Sequence, residues 1–349
     1  MIQELNGANI RIMGRTVMDG NMLWLVSSLS EAGFSVSGAK ELTLALRADD
    51  SVADPLRMHI TPRYAIYLDG EKIRDACMTA EEETVTVFRG EKPRNAEVRL
   101  MKLSECTQSL MALQEIRTDG EIRPLAAPTK KIEFIGDSIT CGYGVEARDG
   151  EEQFTTATEN AEKSYAGIIA EKLGLDRMLT SFSGHGIVSG YTDNPEMPNL
   201  TELVPPYYEK IGRNGFALPS GRTVTDIPWD FGAWQPEDIV VNLGTNDLSW
   251  CAAYPERKEK YRKLYAGFLK AVRKNNPHAR ILCVLGVMGE GLNEYMQAAV
   301  RDYADETGDR NIHALSLKEQ DGEKNGFGAN YHPCEATQRE LAEIVLQQL

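Results

Sequence analysis

Ile132-Glu133-Phe134-Ile135-Gly136-Asp137-Ser138-Ile139-Thr140 is the stretch that decides the fold. A short apolar strand, Ile132 to Ile135, breaks into a Gly-Asp-Ser turn. From there to the C-terminus the apolar pattern alternates between two periods. Tyr165, Ile168, Ile169 and Leu173 fall at helical spacing, and Met178 to Phe182 reads as a strand. Ile239-Val240-Val241-Asn242-Leu243 is a strongly β-branched strand, followed by a helical stripe of Tyr261, Leu264, Tyr265, Phe268 and Val272. Ile281 to Leu285 is a buried strand, Tyr295, Ala299 and Tyr303 mark a helix, and Ile312 to Leu317 is another strand. Leu341, Ile344 and Val345 are expected to face inward on the last helix. Strands that alternate with helices need crossover connections, which predicts a parallel sheet covered on both faces. Ligands of such sheets bind beyond the carboxyl ends of the strands.

Upstream of Pro124 and Pro128 the pattern is that of strands alone. Arg63 to Leu68 meets Asp69-Gly70, a hairpin turn signal. Thr84 to Phe88 alternates and is expected to end at Arg89-Gly90; Glu97 to Leu103 and Leu42 to Leu46 are further candidates. Short strands with frequent turns predict an antiparallel sandwich. The expected division is an all-β domain over 1–126 and an α/β domain over 127–349. A chain of 349 residues suits two domains at roughly 100–200 residues each.

With 38 Lys and Arg against 52 Asp and Glu, the net charge is −14. Such a chain offers no electrostatic footprint for phosphates or anionic lipid, so neither a nucleic-acid nor a membrane partner is expected. The start, Met1-Ile2-Gln3-Glu4, lacks the basic and apolar regions of a signal peptide, which predicts a cytoplasmic protein. The six cysteines form no CxxC pair and show no zinc spacing; they are expected to be free thiols, with no metal site.

Four short motifs stand at the predicted strand ends: Gly136-Asp137-Ser138, Ser183-Gly184-His185-Gly186, Gly244-Thr245-Asn246-Asp247 and, before the last helix, Asn330-Tyr331-His332-Pro333. Each alone reads equally well as a turn or a helix cap. In this order and at these places they resemble the SGNH, or GDSL, hydrolases, whose signature residues are Ser, Gly, Asn and His. The longer string Gly136 to Gly144, with Trp229-Asp230-Phe231 and Leu243 to Asp247, is similar to carbohydrate esterase family 2. That resemblance implies a flavodoxin-like SGNH catalytic domain preceded by a jelly-roll β-sandwich. It also implies an acetylated oligosaccharide, such as a xylan or mannan fragment, as substrate, and no cofactor.

The chemistry can be argued from residue types. Acyl transfer needs a nucleophile, a base and donors for the oxyanion. Ser138 on its turn suits the first role. His332 suits the second, since imidazole titrates near neutrality. The backbone N–H groups of Ser138 and Gly184 and the amide of Asn246 would hold the oxyanion. The SGNH pattern often has aspartate three residues before the histidine, and the esterase family has it two before; here Ala329 and Asn330 stand there. The expectation is therefore a Ser-His dyad, with Asn330 or a nearby backbone carbonyl orienting the ring. Tyr331, Trp250 and His185 are candidates for substrate contact, each with a plain packing role as its alternative. Two rival functions share the scaffold: a lysophospholipase or thioesterase, and a sugar-binding module with vestigial catalysis.

Overall fold

In the computed structural model, which describes residues 1–349, two sheets carry the chain. The C-terminal sheet has five parallel strands in the spatial order Asp176–Ser181, Lys131–Gly136, Asp238–Asn242, Arg280–Leu285, Ile312–Ser316. This is the 2-1-3-4-5 order of flavodoxin-like folds. Chain order reverses between Lys131–Gly136 and Asp238–Asn242, which pair in parallel from Ile132 with Asp238 to Gly136 with Asn242. That reversal opens the crevice in which such sheets bind ligands. The expected helices are present as Tyr165–Leu173, Pro255–Asn275, Asn293–Thr307 and Glu335–Leu346. Ile344 corrects one expectation: it is exposed, while Leu341 and Val345 carry the packing of the last helix.

The N-terminal strands form one curled antiparallel sheet of ten strands. Two of them are far longer than the sequence suggests: Glu31–Ala48 and Glu82–Lys102, of 18 and 21 residues. The turn expected at Arg89-Gly90 is not made. Pairing with Glu31–Ala48 runs on through register shifts between Val36 and Thr43, and such bulges bend a strand without ending it. The hairpin at Asp69-Gly70 is made; both residues have positive φ, 52° and 87°, as a two-residue loop of that type requires.

The two halves share a core. Trp24, Val26, Cys106 and Leu110 pack in one cluster with Phe182, Tyr208 and Val241, while Leu29, Ala65 and Leu103 pack with Phe134, Tyr165 and Val240. Buried ion pairs pin the seam. The Arg15 guanidinium donates to Glu133 at 3.1 Å and to the Tyr208 carbonyl at 2.6 Å. Arg63 donates to Glu146 at 2.6 Å and to the carbonyls of Ala157 and Glu159. No helix is long and apolar enough to cross a membrane, and all six cysteines are unpaired.

Candidate active site

Ser138 opens a one-turn helix, Ser138–Cys141, directly after the strand Lys131–Gly136. Asp137 caps it, its carboxylate accepting from the Ile139 N–H at 3.0 Å. A side chain on Gly136 would meet Thr140 at 2.0 Å, so the tight turn needs glycine there. The turn leaves the Ser138 hydroxyl 2.9 Å from Nε2 of His332, a residue 194 positions away in sequence.

The opposite ring nitrogen settles the tautomer. Nδ1 of His332 faces two main-chain carbonyls, Ala329 at 3.1 Å and Asn330 at 3.2 Å. Carbonyls only accept, so Nδ1 carries the proton and Nε2 offers its lone pair to the Ser138 hydroxyl. The Asn330 amide itself lies elsewhere, its Oδ1 accepting from the Tyr143 hydroxyl at 3.2 Å. Of the two orienters expected from sequence, the carbonyls take the position. They can do so because Asn330 and Tyr331 both adopt left-handed backbone, φ 50° and 60°, which folds the chain back beneath its own histidine. Tyr143 packs on the ring at 4.3 Å between centroids and stacks in turn on Phe154 at 3.8 Å. Burial pushes the His332 imidazole down to about 4, against the two carbonyls and the nearby Glu105 carboxylate, which favour its charged form.

Three groups are the expected oxyanion donors. The Ser138 N–H stands at a helix start, where no intrahelical partner exists. Gly184 has φ 77° and its N–H makes no bond to protein, whereas the Gly186 N–H is taken by the Glu202 carbonyl. Asn246 follows the strand Asp238–Asn242, and its amide donates to the His185 carbonyl at 2.9 Å, with Asp137 Oδ2 at 3.4 Å. Asp247 braces the intervening loop by accepting from the N–H groups of Ile187, Val188 and Ser189. Burial pushes the Asp137 carboxyl up to about 7 and the Asp247 carboxyl up to about 6.

Two expected substrate contacts do not reach the cleft. His185 is 1% exposed, wedged by Phe182 and Tyr207, with Nδ1 on the Ser183 carbonyl. Trp250 is buried in the core beneath Arg257 and Lys260, whose charges cover its indole at 4.7 and 5.3 Å. Neither offers an open face to a ligand. Tyr331 is half exposed beside His332, its ring seated against Gly150. Sequence reading missed Tyr143, Phe154 and Glu105 as members of this constellation. Behind Ser138, Glu105, Cys141 and Glu159 gather their polar atoms within 4.8 Å of one another. The Glu105 oxygens already accept from Ser183 and Gln108, and Lys102 sits buried nearby, so this is a hydrogen-bonded polar cluster rather than a vacant cation cage.

Comparison with known proteins points the same way. The chain is 34% identical over 285 residues to the cellulase/esterase CelE of Acetivibrio thermocellus, covering 79% of this chain and 32% of that one. It is 28% identical over 244 residues to an acetylxylan esterase / glucomannan deacetylase of Cellvibrio japonicus, covering 69% and 63%. It therefore spans less than two thirds of either curated relative. A family two carbohydrate esterase from Clostridium thermocellum, solved in complex with cellohexaose, superimposes with a TM-score of 0.80 at 27% identity, covering 97% of both chains. The acetyl xylan esterase Est2A from Butyrivibrio proteoclasticus, at 24% identity and TM-score 0.85, has the same fold over 100% of this chain and 97% of its own. The model of the GDSL-like lipase/acylhydrolase family matches residues 134–339, more than half of the chain, and the chain belongs to that family.

Proposed function

We propose that this chain is a carbohydrate O-acetyl esterase that removes acetyl groups from acetylated oligosaccharides such as xylan or mannan fragments. The observation that carries the reading is the Ser138 to His332 hydrogen bond, with Nδ1 held protonated by carbonyls. In this mechanism Ser138 Oγ attacks the acetyl carbonyl carbon while His332 Nε2 takes its proton. The oxyanion is received by the N–H groups of Ser138 and Gly184 and by the Asn246 amide. Collapse breaks the bond to the sugar oxygen, which recovers the proton from His332 and leaves as an alcohol. Water then attacks the acetyl-Ser138 ester, again losing its proton to His332. Acetate departs, and the proton returns to Ser138. The dyad works without a carboxylate on Nδ1 because the carbonyl pair fixes the tautomer, one of the services an aspartate renders. The acetyl specificity and the sugar substrate rest on the named activities of the relatives.

The test is acetate release from acetylated xylo- and manno-oligosaccharides followed by NMR, with Ser138→Ala beside the intact protein. Release by the intact protein alone supports the reading; release by both contradicts it. A second reading, a sugar-binding module, is favoured by the cellohexaose bound to the Clostridium thermocellum relative. It prevails where the protein binds cello-oligosaccharides and releases no acetate.

A further inference from the structure

The antiparallel sheet ends its longest strand at Lys102, and the turn that follows carries Glu105 across the seam to the back of the site. Glu105 is fully buried. Its Oε2 accepts from the Ser183 N–H at 2.9 Å, and its Oε1 accepts from the Gln108 amide at 3.3 Å. Ser183 immediately precedes Gly184, so Glu105 anchors the Phe182–Ser183 peptide, one residue before the peptide that bears the Gly184 N–H. Resting on the esterase reading above, we propose that Glu105 is a positioning residue of the active site: it clamps the Ser183–Gly184 turn and supplies, from the other domain, a buried negative charge for the His332 imidazolium to form against.

Glu159 and Cys141 face Glu105, with polar atoms within 4.8 Å. Burial pushes both the Glu159 carboxyl and the Cys141 thiol well up, so neither adds a negative charge near neutrality. Burial pushes the imidazole of His185, on the same turn, down toward its neutral form. The Lys102 ammonium is bonded to the carbonyls of Ser104 and Glu105, which ties it to the Glu105 main chain rather than to the carboxylate. Tyr143, packed at a tilt on His332, is held neutral by burial. The absence of a carboxylate at positions 329 and 330 leaves Glu105 as the acidic side chain whose charge favours protonated His332.

The full chain is compared as wild type, Glu105→Gln and Glu105→Asp. Glutamine keeps an acceptor for the Ser183 N–H and removes the charge; aspartate keeps the charge. The first readout is NMR titration of the His332 ring, which needs no turnover. The midpoint falls by about one unit in Glu105→Gln and stays within a few tenths of wild type in Glu105→Asp. The second is steady-state hydrolysis of p-nitrophenyl acetate, in which Glu105→Gln lowers kcat by about tenfold with KM nearly unchanged. A folded Glu105→Gln with the wild-type His332 midpoint overturns the proposal. If Glu105→Gln does not fold, hydrogen exchange of the Ser183 amide in Glu105→Asp decides: faster exchange, from a carboxylate drawn back by one methylene, supports the clamp, and wild-type exchange overturns it. A wild type that releases no acetate overturns the esterase reading and leaves the titration readable.

Discussion

Nδ1 of His332 lies 3.1 Å from the carbonyl oxygen of Ala329, the residue three before it, the position at which the SGNH sequence pattern often has an aspartate. The backbone of that position does the orienting, and the side chain beyond it is a methyl group fully buried against Gly144. A carbonyl fixes the tautomer as a carboxylate would, but brings only a partial charge to the imidazolium.

That arrangement separates the Asn330 backbone from its side chain. Asn330→Gly keeps the carbonyl and suits the left-handed backbone at φ 50°. Its kcat on p-nitrophenyl acetate is expected to stay within about threefold of wild type. A loss of about a hundredfold would return the amide to the mechanism.

Tyr143 is expected to matter through its ring. It lies between Phe154 and His332, and an aromatic contact of this kind contributes about 0.5–1.5 kcal/mol. Tyr143→Ala should lower kcat by up to about tenfold, while Tyr143→Phe, which loses only the bond to Asn330, should lie close to wild type. Equal losses in the two variants would assign the effect to the hydroxyl.

The pH profile follows from the His332 environment. Burial favours the neutral ring and lowers its midpoint to about 4, so the basic form is lost only as pH falls through that value. A profile of kcat/KM should rise about tenfold per unit at the acid end and be flat from about pH 5 through neutrality. An acid limb centred near the ordinary histidine value of about 6.5 would show a solvated ring.

On the proposed mechanism, Asn246→Ala removes one oxyanion donor. Turnover should fall by about 10²–10³-fold with little change in KM, because the interaction strengthens as charge develops on the oxygen. A rise in KM at constant kcat would place Asn246 in ground-state binding instead.

Arg15 is a prediction about the seam. Its guanidinium is fully buried and pairs with Glu133, which is itself buried. Arg15→Ala strands that carboxylate and should cost about 3–5 kcal/mol, read from urea unfolding. A cost below about 1 kcal/mol would mean that water enters the gap and solvates Glu133.

The parallel sheet was legible because its strands are buried on both faces and read as apolar runs, of which Ile239 to Leu243 is the clearest. Ser138, Gly184, Asn246 and His332 were legible because each sits just beyond a strand or before a helix, where local pattern marks position. The bend in Glu82–Lys102 was not, since bulges depend on the partner strand and leave Arg89-Gly90 looking like a turn. Trp250 sits near Asn246 in sequence, yet its helix turns the indole inward under Arg257. Glu105 carried no local signal, and Tyr143 stood in the Gly136 to Gly144 string with nothing to mark its contact with the histidine. Their roles come from contacts with Ser183 and His332, which are 78 and 189 positions away and meet them only in the folded chain.

The most direct test of the central claim is to mix the protein with excess p-nitrophenyl acetate, quench in acid within the first turnovers, and map the peptides by mass spectrometry. The account predicts a single added acetyl group on the peptide containing Ser138, absent from Ser138→Ala. Turnover that continues in Ser138→Ala, or an acetyl group found on another residue during productive turnover, would contradict it.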